Sequence, residues 1–262
     1  MRRIAIAGGL LASTVLLTGC GVASLAGPNH EDTVSYEVTD KVTALRLVSK
    51  AGDAVITETG GDAVRVVETL HWRGGDKPQP EHRVDGQELF VTYKCPSEWG
   101  ACGVDYKIEV PKGLRMNLES GSGNLTLRDL TGEITLSAGS GDVDAAGLAG
   151  KKLSGELGSG NVELKYTAAP EDIRLKTGSG DIEVRVPDQP YAIDSQVGSG
   201  DVTVGVKQDT AAPNKISVTA GSGTSPSRRL DSLWDSPDNQ VLEPRVSCHH
   251  RGKTPRCPDV PS

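Results

Sequence analysis

Five asparagine and aspartate side chains recur at one position of a repeated motif and could together bind a cation. Each directly follows a Gly-Ser-Gly triplet; they are Asn124, Asp142, Asn161, Asp181 and Asp201. Calcium prefers carboxylate and amide oxygens, so a calcium-binding column is one hypothesis. The alternative is structural, because Asn and Asp tolerate tight turns and calcium-binding glycine repeats have a shorter period of about nine residues. We favour the turn role and predict neither a metal nor a cofactor.

The triplets also place a serine between two glycines, which faintly resembles the nucleophile elbow of hydrolases. That motif requires a strand-to-helix turn and a partner histidine. The histidines all lie outside the triplet repeats; they are His30, His71, His82, His249 and His250. Cleavage of a polysaccharide would need two suitably spaced carboxylates in a cleft, and the repeats contain no insertion that could build one. We predict no catalytic residues and keep a polysaccharide-acting enzyme as the alternative to a binding protein.

Cys20 is placed to carry a covalent lipid. Two arginines near the N-terminus precede an uncharged stretch over residues 4–17, and Leu17-Thr18-Gly19-Cys20 follows. This order is that of a signal peptide, and its end resembles the bacterial lipobox, in which the cysteine is lipidated and becomes the new N-terminus. The apolar stretch is too short for a membrane-spanning helix, which needs about 20 apolar residues. We predict a cleaved signal peptide over 1–19 and a lipidated tether over 20–40.

The other four cysteines form two local pairs, Cys95 with Cys102 and Cys248 with Cys257. An even number of cysteines in an exported chain favours disulfides. Because two histidines, 249 and 250, lie between the second pair, a zinc site is the alternative there. These histidines are adjacent and not spaced to converge on one ion, so two disulfides are the preferred prediction.

Charge and composition narrow the classes of function. The formal net charge is −7, whereas nucleic-acid binding demands a basic face. We therefore exclude nucleic acid as a partner. Aromatic residues make up 3% of the chain, which favours a thin core of small aliphatic side chains with little room for rings.

Six Gly-Ser-Gly triplets define an internal repeat. They begin at Gly121, Gly139, Gly158, Gly178, Gly198 and Gly221. After each of the first five triplets every second residue is apolar, for example Val143 and Ala145, and such alternation is typical of a β-strand. Glycine reaches positive φ at little steric cost, so each triplet with its Asn or Asp is interpreted as a corner between two strands. A regular period of this length indicates stacked structural units.

The fold predicted from this repeat is all-β. Residues 114–223 should form a parallel β-solenoid, or β-helix, with two strands per coil of about 18–23 residues. Aliphatic side chains upstream of the triplets should stack over one another; they include Ile134, Ile173, Ile193 and Ile216. Outward positions should form one acidic-polar strip of Thr126, Asp144, Glu163, Glu183 and Thr203.

Two flanking regions depart from the repeat. Residues 41–113 are strand-like but irregular, and we predict that they cap the N-terminal end of the solenoid, because an uncapped coil exposes a sheet edge. Within them, residues 73–80 are predicted to form a surface loop from their Gly, Pro and charge content. Residues 224–262 lack the pattern and are interpreted as a C-terminal tail that carries the second cysteine pair.

The segment Val110-Pro-Lys-Gly-Leu114, followed by repeated Gly-Ser-Gly-Asx units with alternating Val, Ile and Leu, resembles a bacterial family of β-strand-repeat proteins labelled "putative adhesin". The resemblance covers roughly residues 40–223 and rests on a repeat, which is specific for architecture. The family is a domain of unknown function often found on lipoproteins and membrane proteins of Gram-positive bacteria. No catalytic residue set belongs to it, so none is carried over.

These observations predict an extracytoplasmic protein that is anchored to the cell membrane by its lipid. Its predicted function is that of a non-enzymatic adhesin or envelope scaffold, with a polysaccharide-acting enzyme or a calcium-binding repeat protein as the alternatives. The predicted partners are the membrane, through the N-terminal lipid, and a cell-wall polymer or a surface protein.

Overall fold

The protein is built from two facing β-sheets that share one apolar core. The structure is a computed structural model and describes residues 28–75, 77–96, 102–198, 202–221 and 225–229. All helical or strand structure in these ranges is β. None of these ranges contains a helix long and apolar enough to cross a membrane. The prediction of an all-β fold with parallel strands is confirmed.

Nineteen strands are present in the described ranges. Those before the triplet repeats are β1 Asn29–Val38, β2 Ala44–Ala51, β3 Ala54–Glu58, β4 Val64–Arg73, β5 Gln79–Asp85, β6 Glu88–Lys94 and β7 Cys102–Val110. Next come β8 Arg115–Ser122, β9 Leu125–Arg128, β10 Ile134–Ser140, β11 Val143–Leu148, β12 Lys152–Ser159 and β13 Val162–Tyr166. The last are β14 Asp172–Ser179, β15 Ile182–Val186, β16 Ala192–Val197, β17 Val202–Gly205, β18 Lys215–Ala220 and β19 Ser225–Arg229.

Consecutive strands of the repeat lie alternately in the two sheets, which we call sheet A and sheet B. We call each pair of consecutive strands, such as β10–β11, a coil. Sheet A has ten strands in the order β1-β4-β7-β3-β9-β11-β13-β15-β19-β17, and sheet B has nine in the order β16-β18-β14-β12-β10-β8-β2-β6-β5. Neighbouring coils such as β10–β11 and β12–β13 run parallel and largely in register. Adjacent strands of a sheet lie about 4.8 Å apart, so identical positions of successive coils form straight columns.

The predicted aliphatic column lies along sheet B. Its register pairs Ile134 with Leu153, Leu153 with Ile173, Ile173 with Ile216, and Ile216 with Ile193. All of these side chains are buried except that of Ile193, which is half-buried in the outermost coil. The apolar interior is therefore continuous from coil to coil.

The coils do not stack in chain order at either end. The last coil, β18–β19, lies between β14–β15 and β16–β17, so β16–β17 is outermost although it comes earlier in the chain. At the other end, β2–β3 lies between β6–β7 and β8–β9. Residues 41–113 thus contribute two coils to the stack as well as a cap. The repeat predicts neither exchange, because its similar coils do not specify which neighbour each one takes.

A single carboxylate fixes the crossing that the N-terminal exchange requires. Between β7 and β8 the chain passes over the coil β2–β3, and Gly113 turns there with a φ of 76°. Glu58, at the end of β3, accepts hydrogen bonds from the N–H of Gly113 at 3.1 Å, the N–H of Thr131 at 2.9 Å and the hydroxyl of Thr131 at 2.8 Å. Glu58 therefore holds both the crossing loop and the corner before β10.

Antiparallel strands close the N-terminal end of the stack and form what we call the cap. In sheet A, β4 pairs with β7 and β1 pairs with β4; in sheet B, β5 pairs with β6. One prediction is wrong here: residues 29–38 form β1, within the predicted tether over 20–40. The loop predicted over 73–80 is present but narrower, because it lies between Arg73, where β4 ends, and Gln79, where β5 begins. β1 and β5 are edge strands with little buried apolar surface, so ladder hydrogen bonds, which leave no hydrophobic pattern, account for them.

The core contains more aromatic rings than the composition suggests. Its largest fully buried side chains include Tyr93, Tyr106, Tyr166 and Tyr191. The expectation of little room for rings is wrong: the core accommodates Tyr106 beside the small Ala54 and Tyr166 beside the larger Leu148. The Tyr93 hydroxyl accepts the N–H of Ala51 at 2.8 Å and donates to its carbonyl at 3.0 Å, so this ring also satisfies a corner.

Two glycine columns close the corners of the triplet repeat. A Cβ on the first glycine of a triplet, for example Gly139, would overlap the carbonyl oxygen of Gly121 in the preceding coil. The third glycine, for example Gly141, has a φ of 117°, and its Cβ would overlap the carbonyl oxygen of Gly123. The corner therefore requires glycine for space as well as for backbone conformation.

We expect Gly141→Ala to lower the free energy of unfolding by about 3 kcal/mol or more, because it adds a steric overlap with backbone to a left-handed conformation. The matched control is Gly86→Ala in the β5–β6 hairpin, where φ is 62° and nothing lies within 4 Å of the added Cβ. That substitution should cost only about 1–2 kcal/mol. Urea denaturation measures both, and equal losses would contradict the close-packing explanation.

Candidate functional site

The predicted cation column is a ladder of hydrogen bonds between coils. Each corner side chain accepts the backbone N–H of the Asn or Asp in the next coil. The distances are 2.7 Å from Asn124 N to Asp53 Oδ1, 3.0 Å from Asp142 N to Asn124 Oδ1, 2.8 Å from Asn161 N to Asp142 Oδ1 and 3.0 Å from Asp181 N to Asn161 Oδ1. Asp105 extends the ladder by accepting the N–H of Asp53 at 2.8 Å. Asp201 lies outside the described residues.

This ladder gives the Asn and Asp residues a structural role. Both residue types offer the same Oδ1 acceptor, which explains why they exchange along the column without regard to charge. Their oxygens meet N–H donors that the strand ladders do not use, and unpaired backbone groups are costly. Cation binding stays a separate hypothesis.

The predicted acidic-polar strip on sheet A is a network of ion pairs. Arg128 contacts Asp144 at 2.7 Å, and Arg185 contacts both Glu163 and Glu183 at 2.8 Å. The basic side chains stand two positions further along the strands and form the adjacent column. The register places Thr126, Asp144, Glu163 and Glu183 in one column, as predicted, and each carboxylate of this column has a neighbouring cation.

Cys95 and Cys102 form a disulfide at the cap. Cys95 follows β6 and Cys102 begins β7, so the bond joins the two strands of one coil. Cys20, Cys248 and Cys257 lie outside the described residues, and their lipid and disulfide roles stay predictions.

A groove opens at the cap beside this disulfide. It has a volume of about 680 Å³ and is lined by residues 29–31 of β1, residues 71–73 of β4, Ala51 of β2, and Cys102 and Gly103 of β7. Three strands that lie side by side in sheet A thus form the groove with their ends, and the disulfide keeps two of its lining residues in place.

The groove combines charged, hydrogen-bonding and aromatic groups. The Nε2 atom of His71 lies 2.9 Å from Asp105 Oδ2, and its Nδ1 atom lies 3.8 Å from Glu31 Oε2. Trp72 stacks on His30 with ring centres 5.3 Å apart, and the ammonium of Lys77 lies 5.4 Å from the Trp72 ring centre. The described residues of the lining include no serine, threonine or free thiol that the His71–Asp105 pair could activate.

A second polar cluster lies inside the cap. Glu68 of β4 faces the core and is fully buried. Its Oε1 atom accepts a hydrogen bond from the Tyr36 hydroxyl at 3.0 Å, whereas its Oε2 atom and the hydroxyl of Tyr106 are buried without a hydrogen-bond partner among the described residues. Tyr36 stacks on His82 of β5, with ring centres 3.9 Å apart. The cluster therefore links the edge of sheet A to the edge of sheet B.

Burial makes Glu68 a group that titrates near neutrality. It raises the pKa of Glu68 to about 7, and the hydrogen bond from Tyr36 offsets only part of this effect. Burial, followed by the nearby Glu68 charge, also raises the pKa of both Tyr36 and Tyr106. The tyrosines therefore stay protonated while Glu68 changes charge.

Sequence reasoning missed both the groove and the buried cluster. One signal was present: in β4 the inward positions are Val64, Val66, Glu68 and Leu70, and a carboxylate in such a series is rarely buried without a function. The second signal was the histidines. The sequence places them outside the repeat, and His30, His71 and His82 all lie at the cap.

Fold and surface together define an all-β protein of stacked parallel coils whose polar groups concentrate at one end. A family model described as Toastrack DUF4097 matches residues 41–228. The chain belongs to the Toastrack DUF4097 family, which confirms the resemblance inferred from its repeat.

Several solved structures are similar to this chain. The chain is similar to a "putative cell adhesion protein" from Clostridium sporogenes, with a TM-score of 0.50 and 16% identity over 77% of this chain and 100% of that one. It is also similar to a "putative adhesin" from Bacteroides fragilis, with a TM-score of 0.40 and 15% identity over 76% and 97% of the two chains. A "putative lipid binding protein" from Parabacteroides distasonis gives a TM-score of 0.37 and 15% identity over 76% and 98%. A search of curated proteins gives no match.

We expect Asp142→Ala to cost about 1 kcal/mol of stability, because it removes the acceptor of the Asn161 N–H. The matched control, Asp142→Asn, keeps that oxygen and should stay within about 0.5 kcal/mol of the wild type. Thermal unfolding measures both variants, and calcium or a chelator should leave the wild-type Tm unchanged. A calcium-dependent rise in Tm that Asp142→Asn abolishes would contradict the purely structural role.

The raised pKa of Glu68 predicts a loss of stability with rising pH. Between its usual pKa of about 4.5 and the folded value of about 7, the folded state binds a proton that the unfolded state has released. The free energy of unfolding should therefore fall across this window by on the order of 2–3 kcal/mol and level off above it. Glu68→Gln should remove this slope. Urea denaturation from pH 5 to pH 8 checks it, and parallel curves for the two proteins would argue against it.

Proposed function

We propose that this protein is a lipid-anchored, non-enzymatic module of the bacterial cell envelope. In this proposal it is a β-solenoid with two strands per coil and a cap at its N-terminal end, and it acts as an adhesin or envelope scaffold. The lipid on Cys20 attaches it to the outer face of the cell membrane, and the groove at the cap binds a cell-wall polymer or the chain of a surface protein.

The position of the cap relative to Cys20 supports this arrangement. β1 begins at Asn29, nine residues after Cys20 (29 − 20), and nine extended residues span at most about 30 Å. The cap would then lie close to the membrane. With ten strands about 4.8 Å apart, the stack would project roughly 45 Å away from that point.

The charge-balanced groove is the observation that carries the binding role. His71 lies between the carboxylates of Asp105 and Glu31, and Arg73 hydrogen-bonds to Asn29. The planar hydrogen-bonding side chains of His71, Arg73 and Asn29 lie next to the Trp72 ring and suit a neutral, hydroxyl-rich ligand. The described lining has no excess of cations, which a polyanion would require. We therefore assign the groove to a saccharide segment of a wall polymer.

A catalytic role has less support. None of the described residues that line the groove is a nucleophile for the His71–Asp105 pair, and Asp144, Glu163 and Glu183 of sheet A are engaged in ion pairs. The description of the Clostridium sporogenes protein as a "putative cell adhesion protein" is in line with a binding role.

The binding role predicts that the mature chain, prepared with Cys20→Ser, binds wall polysaccharide or peptidoglycan from Gram-positive cells. Arg73→Ala and Glu31→Ala should each weaken this binding about tenfold or more, because they remove polar groups from the groove. The matched control is Thr135→Ala, an exposed change in the middle of sheet B, which should leave the affinity unchanged. Sedimentation with insoluble wall fragments measures all four proteins.

Two results would overturn the proposal. One is the absence of binding to every wall fraction and every host-matrix protein in the panel. The other is an equal loss for Thr135→Ala and the groove variants, which would move binding away from the cap. In cells, Cys20→Ser should shift the protein from the membrane to the soluble fraction; an unchanged membrane fraction would count against the lipid anchor alone.

A further inference from the structure

We propose that β1 is a releasable strap whose attachment to the cap is controlled by a proton on Glu68. When Glu68 is protonated, β1 lies along β4; when Glu68 ionises, β1 detaches and lengthens the segment that precedes the stack. This inference does not depend on which ligand the groove binds.

β1 is weakly attached for a strand of its length. Eight of its ten residues are exposed, and Tyr36 and Val38 are its more buried members. It pairs on one side only, with β4, because it is the edge strand of sheet A. Its other side-chain contacts lie at the surface. They include the ion pairs of Asp32 with Lys77 and Glu37 with Arg65, which contribute little, and the stacking of His30 on Trp72. Tyr36 and Val38 are therefore the anchors of β1, and Tyr36 is the one that contacts Glu68.

Tyr36 covers Glu68, and this couples β1 to the charge of that carboxylate. The titratable groups that face Glu68 are Tyr36 of β1 and Tyr106 of β7; behind them lie His82 of β5, which stacks on Tyr36, and Tyr93 of β6, which lies near Tyr106. None of these is a permanent cation. The basic side chains nearest to β1, such as Lys77 and Arg65, contact its exposed carboxylates. An ionised Glu68 is thus buried without a counter-ion, which is strongly unfavourable.

Detachment of β1 would bring water to Glu68 and relieve this cost. The closed form holds the proton up to a pH of about 7, whereas a solvated carboxyl releases it near 4.5. Linkage then requires the ratio of closed to open molecules to fall as pH rises between these values. From pH 6 to pH 8 the expected fall is about tenfold.

Two consequences follow for the cap. Releasing β1 adds residues 29–38 to the tether, and ten extended residues reach about 33 Å. Release also dismantles the groove, because residues 29–31 form one of its walls. At acidic pH β1 would stay attached, so the tether would be short and the groove intact. At higher pH release of β1 would lengthen the tether and remove one wall of the groove.

Hydrogen exchange measured by mass spectrometry tests the strap directly. The sample is the mature chain with Cys20→Ser, compared at pH 6 and pH 8 after correction for the intrinsic pH dependence of amide exchange. Protection of residues 29–38 should fall about tenfold at the higher pH, and at both pH values it should lie well below that of β12 in the middle of the stack, which exchanges only through global unfolding. If the two segments have equal protection, β1 opens only with the whole fold and the strap is disproved.

Variants assign the effect to the right group. Glu68→Gln should protect β1 equally at both pH values. Tyr36→Phe keeps the ring and loses the hydroxyl, so it should lower protection of β1 at both pH values without altering β12, and it serves as the test if Glu68→Gln fails to fold. Because histidines generally change charge near neutrality, His82→Asn is the essential control. The proposal fails if that variant abolishes the pH dependence while Glu68→Gln retains it.

Discussion

The distance between parallel strands is the constraint on which the rest of this structure depends. Coils stack about 4.8 Å apart. A corner that repeats in every coil therefore places the α-carbons of its first and third glycines against the carbonyl oxygens of the same glycines in the coil before it. Gly139 and Gly141 have no space for a Cβ for this reason. The same spacing places each corner N–H within reach of the neighbouring side chain, so Asp142 and its equivalents form a continuous ladder. Steric exclusion and backbone hydrogen bonding thus select the same four-residue motif.

The sequence was sufficient to predict the structure wherever one coil resembles the next. Alternating apolar residues and regular glycines predicted the strands, the corners and the isoleucine column. Gly155 interrupts a column of leucine side chains in sheet B, and this too has a local explanation. Methyl groups of Leu136 and Leu175 from the adjacent coils lie 3.0 Å from where the Cβ of a larger residue would be. The exchanged coil order could not be predicted in this way. Near-identical coils are interchangeable partners, and the choice between them depends on contacts such as that of Glu58 with Thr131, which are distant in the chain.

The cap differs from the stack because a parallel ladder has to be terminated. Termination brings antiparallel edge strands, a disulfide and side chains that no repeat constrains. This freedom explains why the described histidines, the groove and the buried Glu68 are all found at this end. It also explains why sequence reasoning missed them, since a single strand such as β1 or β5 is recognised by its partner and not by its own pattern. Glu68 was the visible exception, a carboxylate at an inward position of β4.

The exchanged coil at the far end bears on how the chain reaches its folded state. β16 and β17 pair only with β18 and β19 in the described stack. Residues 192–205 precede residues 215–229 in the chain, so in a chain synthesised only that far the free edge of the stack is that of β14–β15. Pairing there resembles the final arrangement closely, yet it must be broken to admit the last coil. The described order therefore requires either that β16–β17 stay unpaired until the last coil is present or that an early pairing with β14–β15 be exchanged for it.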